Sequence, residues 1–266
     1  MNSMSAHDIV VVGGGAAGLS AAVALARSLR SVIVVDAGEP RNAPAGGAHN
    51  LLGREGIPPL ELLAAGRREA EQYGAEILRD RAVTARADEE GFTVGLAGGG
   101  VLRARRLLLA SGLVDELPDV PGVAELWGRS VLHCPYCHGW EVRDRKLGVL
   151  ATGDTSFEQA LLVRQWSPYV TLFTHISGEP DDVQRRRLAA RDVAVVPGEV
   201  KKLVVEDDAL AALELADGQR VDCQTLFVEP EAAVDSAIAD AESFLSEVET
   251  ARAVLGIATV DVPLPT

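Results

Sequence analysis

The chain has 266 residues, 47% of them hydrophobic, and 39 acidic against 25 basic side chains leave a formal charge of −14. A surface of that sign repels phosphate backbones, which excludes nucleic acid as a partner, and the apolar content allows a sizeable core rather than wholesale disorder. Three cysteines are too few for a disulfide framework and fit a reducing, cytoplasmic setting.

Ile9 to Val12 predicts a short β-strand, followed by the turn GGGAAG at residues 13–18, an Ala/Leu-rich helix to about Arg30, and a second strand, Val32 to Val35, that ends at Asp36. The 18 uncharged residues from Ile9 to Ala26 come close to the length of a membrane span. Three consecutive glycines break them, and the preceding MNSMSAHD lacks the positive charge of a signal peptide, so strand, turn and helix are expected there and no membrane segment. An acidic residue follows Gly18 by 18 positions, where a dinucleotide-binding βαβ unit places its ribose-binding carboxylate at a distance of roughly 20. Gly13 permits the tight turn, Gly15 lets a pyrophosphate approach the backbone, and Gly18 allows close helix–strand packing. Ala16 and Ala17 put their amides at the helix N-terminus, facing the phosphates. Asp36 can accept hydrogen bonds from an adenosine ribose.

Further β material ends in LRARRLLLASG, and PDVPG at residues 118–122 punctuates the chain before HCPYCHGWE at 133–141. The βαβ pattern then recurs: a strand from Leu147 to Ala151, a turn at Thr152-Gly153-Asp154, a helix from Ser156 to about Gln165 and a strand from Tyr169 to Phe173. An apolar run, QRVDCQTLFVEP, closes the repeat. The expected fold is therefore α/β, with two tandem Rossmann-like domains.

Cys134 and Cys137 stand three apart. A zinc site needs four ligands; Cys223 lies in an apolar strand-like run as a small core residue, and His133 and His138 directly flank the pair, so no metal site is expected. A redox dithiol needs less. The spacing brings two sulfurs within bonding distance in one turn, Pro135 stiffens that turn, and the local environment can lower a thiol pKa towards neutrality. His138 titrates near working pH and can carry a proton during exchange. Trp127 and Trp140 could line the substrate approach or simply pack.

Two Rossmann-like units with a CxxC opening the second resemble the low-molecular-weight thioredoxin reductases and their disulfide-oxidoreductase relatives. The resemblance runs from about residue 7 to 228 and includes GGGAAGLSAA, AHNLLG at 48–53, LLLASG at 107–112, CPYC and TLFVEP. It implies FAD on the first unit, NADPH on the second, and a cysteine pair that carries electrons between flavin and a substrate disulfide or dithiol. By resemblance Cys137 faces the flavin, Cys134 meets the substrate, and His138 takes the place of the family's aspartate. Asn50 matches an asparagine near the flavin ring, and Gly112 a turn beside the adenosine–pyrophosphate part of FAD. The partner would be a thioredoxin-like protein or a small-molecule disulfide or dithiol, and a homodimer would follow the family habit.

The second glycine motif begins with Ala151 instead of glycine, and Phe173-Thr174-His175-Ile176 lacks the arginines that grip a 2′-phosphate. A retained fold with NADPH and one without it both stand open. Some relatives with this cysteine motif are dithiol oxidases that pass electrons from a small dithiol through flavin to oxygen, which is the runner-up reading. From about Glu229 the chain departs from the family pattern; EAAVDSAIADAESFLSEVETARAVLG reads as an acidic amphipathic helix, without the Gly-Asp turn that would complete the first domain and bind the ribityl–phosphate part of FAD. The expected division is 1–117 for FAD, 118–228 for the NAD(P)-type domain with the CxxC, and 229–266 for the tail. The incomplete first domain motivates a third reading, a non-catalytic remnant of the fold.

Overall fold

A computed structural model describes residues 6–234 of the chain. They divide into two compact units. The first takes the residues up to Arg41, Leu60–Val114 and Ala233–Val234; the second takes Asn42–Pro59 and Asp115–Ala232.

In the first unit β1 (Ala6–Val12), α1 (Ala16–Arg27) and β2 (Val32–Val35) form the expected βαβ element, with β1 parallel to β2 from Ile9↔Val32 to Val12↔Val35. The chain continues through α2 (Pro59–Gln72), β3 (Glu76–Leu78), β4 (Ala82–Asp88), β5 (Gly91–Leu96) and β6 (Val101–Leu109). The sheet order is β3-β2-β1-β6-β5-β4; β1, β2, β3 and β6 are parallel, and β4, β5 and β6 form an antiparallel meander. Side chains alternate across a strand. Ile9, Val11, Val32 and Val34 therefore cluster with Ala22 and Ala26 of α1, while Val10, Val12, Ile33 and Val35 cluster with Val94, Leu96 and Ala104. Burial on both faces is why these strands read as continuous apolar runs. The strand order reverses at β1, so the glycine turn stands at the switch point where open α/β sheets bind ligands.

The second unit follows β7 (Leu113–Glu116) and contains α3 (Val123–Leu126), β8 (Val131–Leu132), α4 (Pro135–His138), β9 (Leu147–Leu150), α5 (Ser156–Val163), β10 (Val170–Phe173), α6 (Asp182–Ala189), β11 (Ala194–Val196), β12 (Val200–Glu206), β13 (Ala209–Leu215), β14 (Arg220–Asp222) and β15 (Thr225–Phe227). A parallel sheet in the order β11-β10-β9-β15-β8 repeats the first topology, with its reversal at β9. Leu147, Val149, Val170 and Leu172 pack on one face against Phe157 and Ala160 of α5. Leu150 and Phe173 pack on the other with Leu203 and Leu213 from the antiparallel sheet β12-β13-β14. Cys223 sits between β14 and β15, buried in this second cluster; burial pushes its thiol pKa up to about 12, and its thiol donates to the carbonyl of Thr225. It is a core residue, in a link rather than within a strand.

One expectation is corrected at the end of the described chain. Glu231–Val234, the first residues of the expected tail helix, form strand β16, paired with β7; an available strand partner overrides the helix propensity of EAAV. The rest of that expected helix lies outside the described residues. Among the described residues no helix is long and apolar enough to cross a membrane.

Candidate active site

The buried strand β8 delivers the CPYC segment to the end of the second unit's sheet. Pro135 occupies the first position of α4, where a missing N–H costs nothing and the fixed φ suits the turn. The carbonyl of Cys134 accepts the amides of Cys137 at 3.2 Å and His138 at 3.3 Å, so one helical turn carries both cysteines. Cys134 is half-buried and Cys137 exposed. Gly139 closes the turn by donating to the carbonyl of Pro135 at 2.7 Å, beneath the ring of Trp166, which also meets Tyr136 edge-on at 5.4 Å.

The segment 42–59 braces this turn. Its ends are tied by an antiparallel bridge between Ala48 and Ile57. Asn50 adopts φ +63°, a left-handed conformation that asparagine tolerates better than most residues. The Asn50 side-chain amide donates to the carbonyl of Tyr136 at 3.0 Å, between the two cysteines. Glu55 holds the segment from within, with one carboxylate oxygen on the Asn50 amide at 2.8 Å and the other on His49 Nδ1 at 2.7 Å. His49 Nε2 in turn lies 3.6 Å from the carboxylate of Glu141.

His138 meets His49 edge-on with 6.0 Å between ring centres. Burial, then the charge of His49, hold the His138 pKa below its ordinary value, and Glu141 opposes them. The ring is therefore neutral at neutral pH and able to accept a proton. Its Nε2 is buried without a hydrogen-bond partner among the described residues, an atom left ready for an incoming thiol or water. His133, the other flanking histidine, is spent on structure: its Nδ1 meets the carbonyl of Val228 at 3.3 Å, and its own carbonyl accepts from Gln159.

Trp127 packs against a core cluster, whereas Trp140 is exposed with the Arg143 guanidinium 4.0 Å over its ring. Sequence reasoning missed His49, Glu55 and Glu141. The only signal for His49 was its place beside Asn50 in AHNLLG.

In the first unit the glycine turn has the expected geometry. A Cβ on Gly13, at φ +104°, would fall 2.1 Å from the carbonyl oxygen of Ala110, and one on Gly18 would fall 1.9 Å from that of Gly13. The turn after β1 and the turn after β6, with Gly112 at φ +81°, are thereby brought together. Gly15 faces open space, and no side chain caps α1. The donors at Ala16 and Ala17 stand at an uncapped helix start that suits a phosphate. Asp36 is buried; one carboxylate oxygen accepts from the amides of Gly14 at 3.3 Å and Gly38 at 3.0 Å, and the other from Arg67 at 3.1 Å. A carboxylate has about four acceptor positions, so capacity for a ribose hydroxyl remains. These residues fit the adenosine diphosphate half of FAD.

A family model, pyridine nucleotide-disulphide oxidoreductase, matches residues 7–230. The chain belongs to that family. Within it the likeness is to the thioredoxin reductases. The chain is 33% identical over 223 residues to thioredoxin reductase aclD of Aspergillus oryzae, covering 79% of this chain and 70% of that one. It is 40% identical over 157 residues to thioredoxin reductase tcpT of Claviceps purpurea, covering 58% of this chain but only 49% of the relative. The crystal structure of HlmI superposes with a TM-score of 0.84 at 48% identity, over 89% of this chain and 75% of that one. Membership of a family of flavin-dependent disulfide oxidoreductases agrees with the expected α/β fold of two Rossmann-like units.

Proposed function

We propose that the chain is a flavin-dependent thiol–disulfide oxidoreductase in which Cys134 and Cys137 form the redox pair and His138 carries the proton. The observation that carries the reading is the CPYC turn itself: a half-buried and an exposed cysteine on one helical turn, with a buried, neutral, unpartnered imidazole nitrogen next in sequence.

In the reductive direction the Cys134 thiolate attacks one sulfur of a substrate disulfide, forming a mixed disulfide and releasing the first substrate thiolate. Cys137 then attacks the Cys134 sulfur, which frees the second thiolate and closes the Cys134–Cys137 bond. The pair gives up two electrons and two protons, and the substrate disulfide becomes two thiols. His138 Nε2 takes the proton lost by a thiol and returns it to a leaving thiolate. FAD would be held by Gly13, Gly15, Ala16, Ala17, Gly18, Asp36 and Gly112, and in its reduced form, recharged by NADPH in this direction, it would supply the electron pair that reopens the bond. Asn50, through Tyr136, and His49, beside His138, position the turn and the imidazole. The substrate is a thioredoxin-like protein or a small disulfide, and a homodimer follows from the family resemblance.

A second reading runs the same exchange backwards. A substrate dithiol reduces the Cys134–Cys137 bond, and oxygen takes the two electrons and two protons as hydrogen peroxide. The alanine at position 151 and the lack of arginine in Phe173–Ile176 favour it, because neither helps to hold NADPH.

The purified chain supplied with FAD should acquire a flavin spectrum. Bleaching by NADPH without oxygen supports the reductase; bleaching only by a dithiol supports the oxidase. Cys137→Ser should abolish turnover in either direction. The proposal is overturned if that variant turns over normally, or if FAD never binds, in which case the chain is a non-catalytic relative.

A further inference from the structure

The second unit has a cleft of about 900 Å³ at the C-terminal ends of its parallel strands, lined by Thr152, Gly153, Thr155, His175 and Glu229 among others. It lies where the strand order reverses at β9, the position at which this architecture takes a dinucleotide. A bound pyrophosphate there needs backbone amides of the turn and an open helix start.

The turn amides are already engaged. The amides of Thr152 and Gly153 point at Ser156 Oγ, at 3.2 and 3.4 Å, and that serine is fully buried. Thr155, at the N-cap position of α5, donates its hydroxyl to a carboxylate oxygen of Glu229 at 2.5 Å. The Thr152 hydroxyl reaches the carbonyl of the same Glu229 at 3.4 Å. A carboxylate from the chain thus sits at the helix start, where its negative charge is favourable for the same reason a phosphate's would be.

The walls repeat the message. Glu116, Asp119, Glu199 and Glu229 stand against Lys201, the only lysine or arginine of the lining among the described residues. His175, at the end of β10 where a basic residue would grip a 2′-phosphate, uses its Nδ1 to accept the amide of Val200 at 3.1 Å, so its remaining proton sits on Nε2. Burial lowers its pKa, which keeps it neutral. The first unit differs in charge: α1 has no acidic residue in its first turn, whereas α5 has Glu158 there besides the nearby Glu229.

We propose that the second nucleotide fold is self-occupied, with the Glu229 carboxylate standing in for the phosphate of a dinucleotide, so that Glu229 is a specificity residue that excludes NADPH and related nicotinamide dinucleotides. The residues present do not fit that cofactor. The inference rests on the dinucleotide-fold reading of the second unit and not on the cysteine chemistry.

The test is direct binding, by calorimetry, of ADP-ribose and of NADH to the full chain in saturating FAD. Both probes carry a pyrophosphate and neither needs an arginine for a 2′-phosphate. Glu229→Ala should bind ADP-ribose about two- to thirtyfold more tightly than the wild type, the range expected for freeing an anion seat at a helix start. Glu229→Gln, which keeps the shape and removes the charge, should gain in the same direction and guards against a misfolded alanine variant. Glu199→Gln, in the same cleft but away from the helix start, should change affinity less than twofold. The proposal is overturned if the wild type binds as tightly as Glu229→Ala, if neither Glu229 variant gains, or if Glu199→Gln gains equally. Any ADP-ribose taken by the first unit is common to all four proteins and cancels, so failure of flavin binding would not be mistaken for failure of this inference.

Discussion

Gly139→Ala tests whether the cysteine turn is held as tightly as the packing implies. Gly139 has φ −63° and ψ −31°, ordinary helical backbone, so alanine brings no conformational strain. On that ground alone the change should stabilise the protein by about 0.4–1 kcal/mol, because alanine loses less freedom on folding. The surroundings reverse the sign. A Cβ at this position would stand 2.4 Å from the Pro135 carbonyl oxygen and 2.8 Å from two atoms of the Trp166 ring. Ordinary contact begins at 3.4 Å, and the oxygen belongs to the backbone of the CPYC turn, which cannot step aside without moving the cysteines. Overpacking of this kind costs about 1–3 kcal/mol. The expected net change is a loss of stability of about 1–2 kcal/mol in urea melts, with an unchanged slope. The rate of exchange with a model disulfide should fall as well, since the carbonyl that would be displaced belongs to the residue between Cys134 and Tyr136. Trp166→Leu in the same background should restore part of the stability and little of the rate, because it relieves the ring and not the carbonyl. A Gly139→Ala protein as stable as the wild type, or more so, would refute the packing argument.

Three further outcomes are expected. Asn50→Ala loses the bond to Tyr136 and places alanine in the left-handed region, whereas Asn50→Gly loses only the bond; alanine should therefore be about 1 kcal/mol less stable than glycine, both should slow thiol exchange, and equal stabilities would remove the backbone from the account. His49→Gln removes the charge that, after burial, holds the His138 pKa low, so the acid limb of the activity profile should move to higher pH. Glu141→Gln removes the charge that opposes it, and should move the limb to lower pH; NMR titration of His138 would show shifts of the wrong sign if the reading fails. Because the folded-state pKa of His138 lies below the ordinary imidazole value of 6.5, the unfolded chain takes up its proton first as pH falls, and stability should be lost below about pH 6.5. That loss should be smaller in His138→Gln, although not abolished, since His175 is also held low by burial.

The sequence carried the parts of this molecule that depend on local pattern. Ile9–Val12 and Val32–Val35 announce buried parallel strands through unbroken β-branched runs. The glycines at 13, 15 and 18 announce the turn, since two of them leave no room for a Cβ. CPYC announces itself by spacing. What stayed hidden depends on contacts between distant positions. His49 and Glu141 come together across about ninety residues of chain, and no periodicity marks either one. Glu229 read as the point where family resemblance ends, and its carboxylate acquired a purpose only when β15 delivered it to the start of α5. The strand at Glu231–Val234 escaped for a related reason, because its four residues have no strong strand signal and find their conformation through a partner.

The two nucleotide folds fill the approach to their first helix differently. Every helix begins with amides that lack partners within the helix, and they must be met by side chains, water or a ligand. In the first unit α1 follows three glycines, is capped by no side chain, and opens onto free space at Gly15; a phosphate is the natural complement. In the second unit Ser156 Oγ takes the amides of Thr152 and Gly153 in the turn before α5, and the Glu229 carboxylate takes the hydroxyl of Thr155 at the helix start. An internal carboxylate there already supplies the favourable charge, so a dinucleotide phosphate would have to displace it and also enter a cleft lined by like charge. Preservation of the fold therefore does not imply preservation of the ligand. With the second seat filled from within, the electrons that reach Cys134 and Cys137 would have to come from a substrate dithiol and leave to oxygen, the second of the two proposed readings.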